Sequence, residues 1–437
     1  MGIWSQAGEI AEQTPASRNR YVDFLRAASI LFVITGHWLI ATAYFESTTG
    51  DFSSVMMLEV APWTCWLTWL FQVMPIFFIV GGYSNAISLE SATKNNTPFN
   101  YANWLTGRLH RLLTPLLVLI VFWAFMAFGL NLFGASTDTV VFASQAALVP
   151  TWFLAIYTMI VLLAPATYAF WRRWGFLSLG FYVLMAALVD LAFFQWNIQW
   201  LGWSNYFWIW LAVHHLGFAW HDGRLGKPSL LIAVSAVALL VLMLLIFKGP
   251  YPLAMAGSPG EAVSNTLPPK ITLIALGVFQ FGLLLAIEKP MQRLLAGLRF
   301  WTCTVIINTM IMTIYLWHMT ILVLVLGLSY ISSGFGLTLV PNSADWWYSR
   351  PLWLAVLLCL LLPIAMLMSP LERVARAKDA PVPSSARLVI GAVMAGAGIA
   401  AASLFGFNGD LLSLKSIAPL VLVLGGAAIC GLSLRLR

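Results

Sequence analysis

Twelve long apolar runs, parted by short polar, turn-rich breaks, leave this chain few ways to fold. They lie near residues 24–44, 64–89, 110–132, 152–171, 175–196, 203–220, 229–247, 271–287, 301–327, 351–369, 386–405 and 416–434. Each holds about 18 to 25 residues, enough at roughly 1.5 Å of rise per helical residue to cross about 30 Å of hydrocarbon. Runs this long and continuous form helices, whereas an outer-membrane barrel needs shorter segments of alternating hydropathy. Hydrophobic residues make up 61% of the 437 and charged residues only 9%, more apolar surface than one soluble core can bury. The expectation is an all-α integral membrane protein with about 12 transmembrane helices.

The basic residues then set the topology. With the N-terminus inside, one side collects Arg18, Arg20 and Arg26, then Lys94, Arg108 and Arg111, Arg172 and Arg173, and Arg224 and Lys227. It also collects Lys289, Arg293 and Arg299, then Arg373, Arg376, Lys378 and Arg387, and finally Arg435 and Arg437. Of the 23 Lys and Arg residues, only Lys248, Lys270, Arg350 and Lys415 fall on the other side. A shift by one span would invert the bias, so both termini are expected in the cytoplasm of a multi-pass protein of the cell (inner or plasma) membrane. Trp200, Trp203, Trp346, Trp347 and Tyr348 fall at the depth of the outer interface. Because the net charge of +7 comes from residues bordering spans rather than from one patch, no nucleic-acid partner is expected.

The first 17 residues are polar, and the run after them outlasts a signal peptide without a small-residue cleavage site, so the N-terminus is expected to be retained. Cys65, Cys303, Cys359 and Cys430 stand singly in apolar runs, which suits neither a disulfide framework nor zinc. No cluster has metal-ligand spacing and no glycine-rich phosphate loop occurs, so neither a metal nor a permanently bound cofactor is expected. No connection is long enough for a soluble domain. The expected division is a tail over 1–17, a membrane domain over 18–375, a charged linker over 376–385 containing Pro381 and Pro383, and an accessory two-helix segment over 386–437. Gly391, Ala395, Gly396 and Gly398 permit close helix packing there, within the chain or in a homo-oligomer.

Ionisable groups inside such runs cost a few kcal/mol each and are functional candidates by default. His37 lies 13 residues into the first run, with Arg26 at its cytoplasmic mouth. Eleven residues are three helical turns, so the two share a face about 16 Å apart along the axis. That geometry suits a long donor with an anionic end at the inner surface and a reactive end in the membrane, the reach of a pantetheine arm. A histidine there is a natural base for a hydroxyl attacking a thioester. His318 and Asp190 are expected at a similar depth, where an imidazole and a carboxylate can pair. Arg108 and Arg111 are neighbours on one turn and suit phosphate. His214 and His215 point about 100° apart, so at most one faces a cavity. Gly81 and Gly82 permit close approach of a helix or a ligand. Helix packing or charge anchoring is the competing reading at each of these positions.

Taken together, these segments resemble the acyltransferase type 3 family of polytopic membrane acyltransferases over roughly residues 18–375. The resemblance runs from Arg20-Tyr-Val-Asp-Phe-Leu-Arg26 and His37, through Phe77-Phe78 and Gly82-Tyr83, to Arg108-Leu-His-Arg111 followed by Pro115. It continues at Trp152-Phe-Leu, Tyr315-Leu-Trp-His318 and Glu372, and departs from the pattern at Gly81, where serine is usual. It implies a ten-helix core with His37 as catalytic base, to which the reading of the buried ionisable groups adds His318 and Asp190 as catalytic candidates. Arg26, Arg108, Arg111 and Glu372 would bind acyl-CoA as co-substrate, with Gly82, Tyr83 and Trp152 lining the cavity. The implied reaction moves an acetyl or other short acyl group from cytoplasmic acyl-CoA to a hydroxyl of a sugar, glycolipid or lipid-linked acceptor. A covalent acyl-histidine relay fits the same residues. The alternatives are a proton-coupled secondary transporter using His37, Asp190 and His318 as a relay, and a non-catalytic assembly subunit.

Overall fold

The computed structural model describes residues 3–15, 18–46, 50–93, 98–257, 261–372, 381–410 and 413–432. Lys94, Arg373, Arg376, Lys378, Arg435 and Arg437, and residues 376–380 of the 376–385 linker, lie outside them. The order begins with α1 (Ile3–Glu12), α2 (Arg20–Ile40), β1 (Ala41–Glu46), β2 (Asp51–Met56), the short α3 (Met57–Val60) and α4 (Thr68–Phe71), and α5 (Met74–Ala92). Next come α6 (Tyr101–Leu132), α7 (Thr137–Leu148), α8 (Thr151–Trp174), α9 (Phe176–Gln195), α10 (Asn205–His221), α11 (Pro228–Lys248) and α12 (Thr272–Ala286). The rest are α13 (Glu288–Leu295), α14 (Leu298–Thr309), α15 (Ile311–Ile331), α16 (Ala344–Glu372), α17 (Ser385–Phe405) and α18 (Leu414–Ile429).

The chain is an all-α polytopic membrane protein, with one β-hairpin among the described residues. Among the described residues, nine helices are long and apolar enough to span a bilayer, or ten if α12 and α13, bent by 58°, form one span. The figure falls below twelve because α10 and α18 have only 17 and 16 residues. Two of the differences from the runs read off hydropathy change the elements themselves. The first helix stops at Ile40, and the β-branched and aromatic residues after it pair as β1 with β2 around Gly50, whose φ is +76°. The 301–327 run is split between α14 and α15, with Met310 outside both.

The chain forms two compact units. The first comprises Met1–Thr42, Val55–Glu90 and Ala164–Ile311. In it α2 packs on α13 and α14, and α1 packs on α14. The N-terminal stretch is therefore a docked helix and not only a polar tail: Trp301 Nε1 donates to Thr14 Oγ1 at 3.0 Å, and Arg20 stacks 5.0 Å from the Trp301 ring. Helices α5 and α10 cross in backbone contact at Gly82 and Gly217, an approach only small residues allow. On the loop side of this unit, buried Asn265 donates to the carbonyls of Pro252 and Ala254 and fixes the 249–271 connection.

The second unit comprises Ala43–Ser54, Ser91–Leu163 and Met312–Arg437. Tyr315 donates to the Pro150 carbonyl at 2.7 Å and Trp123 to Thr320 at 2.9 Å, joining α15 to the start of α8 and to α6. Helices α17 and α18 meet where Gly391 faces Gly426, and the pair docks on α6 and α7. Ser144 Oγ accepts the Phe407 N–H at 2.8 Å and Gln145 donates to the Leu404 carbonyl at 2.6 Å, so the accessory pair is built into this unit.

Candidate active site

The first turn of α2 is organised by a buried carboxylate. Asn19 caps the helix by accepting the Tyr21 N–H at 3.0 Å. Asp23, one turn on, has a side chain only 8% exposed, a burial that demands cationic partners. Arg18 supplies them, donating through Nε at 2.6 Å and Nη2 at 3.1 Å. Arg26 lies 3.5 Å from the same carboxylate and donates to Ser84 Oγ at 3.0 Å. Its guanidinium is thus held from two sides while about a third of the side chain, 32%, remains exposed.

Beside this turn lies a cavity of about 320 Å³ lined by Asn19, Tyr83, Trp220, Leu231, Glu288 and Lys289, among others. Tyr83 packs on Trp220 with ring centroids 4.6 Å apart. Glu288 gathers the wall, accepting from Asn19 at 3.1 Å, Trp220 at 3.2 Å and Gln292 at 3.0 Å. Sequence reading found Tyr83 but missed Asn19, Trp220 and Glu288, because ordinary polar and aromatic types at helix ends acquire meaning only when distant segments meet.

His37 sits in the last turn of α2, where its carbonyl accepts the Ala41 N–H, and its side chain is partly accessible. Because the helix begins at Arg20, His37 stands closer to the hairpin end than the hydropathy run suggested. The helix is unbroken between Arg26 and His37, which preserves the three-turn separation of about 16 Å.

Asp190 is not paired with a histidine. Its carboxylate accepts from Asn205 at 2.8 Å, Tyr251 at 3.1 Å and the Ile271 N–H at 2.8 Å. Those donors tie α9 to the two ends of the long 249–271 connection. Buried Lys270 adds a positive charge beside it, donates to the Pro268 carbonyl at 2.8 Å and lies 4.0 Å from the Phe193 ring. Burial pushes the Lys270 ammonium down to about 8, against the opposing attraction of Asp190. At Gly82 a Cβ would collide with the His214 carbonyl oxygen, so the missing side chain is what permits the helix crossing there. Asn85 Nδ2 lies 3.1 Å from His214 Nε2 at this crossing, and His215 Nδ1 lies 2.8 Å from the Leu211 carbonyl.

The remaining candidates belong to the second unit. His318 Nδ1 lies 2.6 Å from the Tyr315 carbonyl. A carbonyl only accepts, so Nδ1 carries the proton, and in the neutral ring the lone pair is on Nε2. Arg108 stacks 5.6 Å from the Trp104 ring, and exposed Arg111 donates to the Gly107 carbonyl at 3.2 Å. Trp152 is partly buried at the start of α8. Glu372 closes α16, and its side chain lies outside the described residues.

One acidic and histidine cluster went unseen in the sequence. Donor atoms of Glu90, His221 and Asp222 lie within 4.8 Å of one another. They are already engaged: Glu90 accepts from Tyr168 at 2.7 Å and lies 3.0 Å from His221, while Asp222 accepts from Trp171 and faces Arg172 and Arg224. The cluster reads as an ion-pair network tying together the ends of α5, α8 and α10.

A family model described as an acyltransferase domain matches residues 19–370. The chain belongs to the acyltransferase type 3 family. The match begins at the Asn19 cap of α2 and ends in the last turns of α16, so it spans most of both units and stops before α17. No curated protein matches the chain, and no solved structure does. Membership makes this protein a membrane acyltransferase in general terms and accounts for its succession of apolar helices.

Proposed function

We propose that this acyltransferase moves an acetyl or other short acyl group from cytoplasmic acyl-CoA to a hydroxyl of a sugar, glycolipid or lipid-linked acceptor. The observation that carries the reading is α2 itself, within the matched domain. It holds Arg26 firmly but partly open near one end and His37 near the other, on one face and about 16 Å apart. That is the span between the phosphates and thioester of an extended acyl-CoA.

Arg26 supplies a guanidinium fork for the CoA phosphates, the role that the family resemblance also gives to Arg108 and Arg111. His37 removes the proton from the acceptor hydroxyl as its oxygen attacks the thioester carbonyl. The carbon–sulfur bond breaks, the acyl ester forms, and the CoA thiolate leaves and is protonated. His318, whose Nδ1 lies 2.6 Å from the Tyr315 carbonyl, is a second imidazole candidate for the chemistry. Asp190 acts at a distance, as the anchor of the 249–271 connection. Basic residues gathered on one side of the spans support a cell membrane location with both termini in the cytoplasm. The relay expected of a proton-coupled transporter gains no support, since the Asp190 carboxylate is taken by Asn205, Tyr251 and Ile271.

The test is release of free CoA thiol by the purified protein in vesicles supplied with acetyl-CoA or longer acyl-CoAs. Wild type is expected to turn over, while His37→Ala and Arg26→Ala lose at least tenfold, His37→Ala in kcat and Arg26→Ala mainly in KM. Equal turnover in wild type and His37→Ala refutes the general-base assignment.

A further inference from the structure

The second unit contains a cation whose counter-charge is missing. Arg350, near the start of α16, is only 8% exposed, yet among the described residues no carboxylate lies within ion-pair distance of it. Its partners are weak ones. Nε donates to the Trp346 carbonyl at 3.2 Å and Nη2 to Ser349 Oγ at 3.0 Å. The guanidinium stacks 4.0 Å from the Trp346 ring and 5.4 Å from that of Trp353. A buried charge is costly unless it is paired, and stacking on aromatic faces only partly offsets that cost.

A second observation points the same way. Trp353, whose ring borders the guanidinium, has a buried indole Nε1 with no hydrogen-bond partner. Buried indole N–H groups normally find an acceptor. An indole N–H without an acceptor therefore lies beside a guanidinium without a counter-charge among the described residues. Neither is exposed by accident, because Trp353 packs against the cluster of Ala43, Phe45 and Leu337, where the hairpin covers α16. The hairpin is pinned there by the Phe45 N–H donating to the Leu337 carbonyl at 2.9 Å. Stacking leaves the in-plane N–H edges of a guanidinium available, the geometry in which arginine binds phosphate while lying on an aromatic ring.

We propose that Arg350, Trp346 and Trp353 form a binding site for the phosphate group of an amphiphilic ligand. The aromatic rings flank the guanidinium, and the apolar residues Leu326 and Phe52, packed like Trp353 against the cluster of Ala43, Phe45 and Leu337, suit a lipid chain. Arg350 is one of the few basic residues on the side opposite the cytoplasmic cluster, so the site suits the phosphate of a lipid-linked acceptor arriving from that side. That last assignment rests on the proposed acyl transfer, whereas phosphate binding does not. A phospholipid headgroup offers the same chemistry, and the experiment separates the two sources.

The full-length protein in a nonionic detergent is titrated with farnesyl diphosphate, with phosphatidylglycerol in mixed micelles, and with inorganic phosphate, reading the shift in thermal unfolding. Saturable stabilisation by farnesyl diphosphate, with an apparent Kd raised at least about tenfold in Arg350→Gln, is the expected result. Trp353→Phe keeps the ring and removes only the N–H, so a several-fold weakening there ties the effect to the site and guards against a misfolded Arg350 variant. Saturation by phosphatidylglycerol alone, with the same dependence on Arg350, keeps the phosphate site and assigns it to the bilayer, overturning the acceptor assignment. No Arg350-dependent shift with any of the three overturns the site itself. Failure of CoA release in the preceding test leaves this titration unaffected, so the two readings fall separately.

Discussion

Replacing Gly82 by alanine should damage this protein far more than one methyl group suggests. A Cβ at Gly82 would overlap the His214 carbonyl oxygen and lie 3.1 Å from its carbonyl carbon and 3.2 Å from the Gly217 Cα. These neighbours are backbone and cannot swing aside, so α5 and α10 must part by on the order of 1 Å to restore ordinary contact. Overpacking of this kind costs about 2–3 kcal/mol, to which strain on the buried Asn85–His214 contact one turn away is added. Gly180, in the interior of α9, is the matched control because no atom lies within 4 Å of a Cβ built there. Alanine at that site should gain up to about 1 kcal/mol through helix propensity. Thermal unfolding of the two variants in one detergent should therefore move in opposite directions, with Gly82→Ala lower by on the order of 5 °C. Because Tyr83 and Ser84 follow directly, Gly82→Ala should also lower CoA release. A Gly82→Ala protein as stable as Gly180→Ala refutes the assignment of this crossing as a backbone contact.

Two further outcomes follow from the 249–271 connection. The folded pKa of Lys270, pushed down to about 8 from 10.5, lets the unfolded chain bind more protons between those values, so this group makes stability rise with pH through that window and level off above it. Lys270→Met should outlast wild type near pH 7 and lose that advantage by about pH 10.5, and a gap that stays constant with pH counts against the buried-ammonium explanation. Asp190→Asn removes an acceptor from Tyr251 or the Ile271 N–H and should cost about 1–3 kcal/mol. Limited proteolysis within 249–271 should quicken while the KM for acyl-CoA holds, whereas a loss confined to kcat with unchanged proteolysis would return Asp190 to the chemistry.

The membrane class, the nearly all-helical content and the family were all legible before any coordinates, because each rests on local pattern. Bilayer thickness translates into run length, and motif order along the chain survives without knowing who touches whom. Arg26 and His37 were legible for the same reason: residues on one helix have their relative placement fixed by the helical repeat. The partners of Asp190 were not legible because depth along a helix says nothing about which groups arrive from other segments, and Tyr251 and Ile271 arrive from a connection 61 and 81 residues away. Gly82 permitted a close approach in sequence, and only the course of α10 across α5 showed which helix arrives there.

The same division runs through the rest of the molecule. Hydropathy by itself determined that helices must satisfy their own backbone groups in lipid. Tertiary structure alone decided that Glu288 gathers a cavity wall, that Glu90, His221 and Asp222 form an ion-pair network, and that Arg350 is buried without a counter-charge among the described residues. Charge and hydropathy are properties of a residue, but pairing and desolvation are properties of its surroundings, and those surroundings exist only once distant segments have packed.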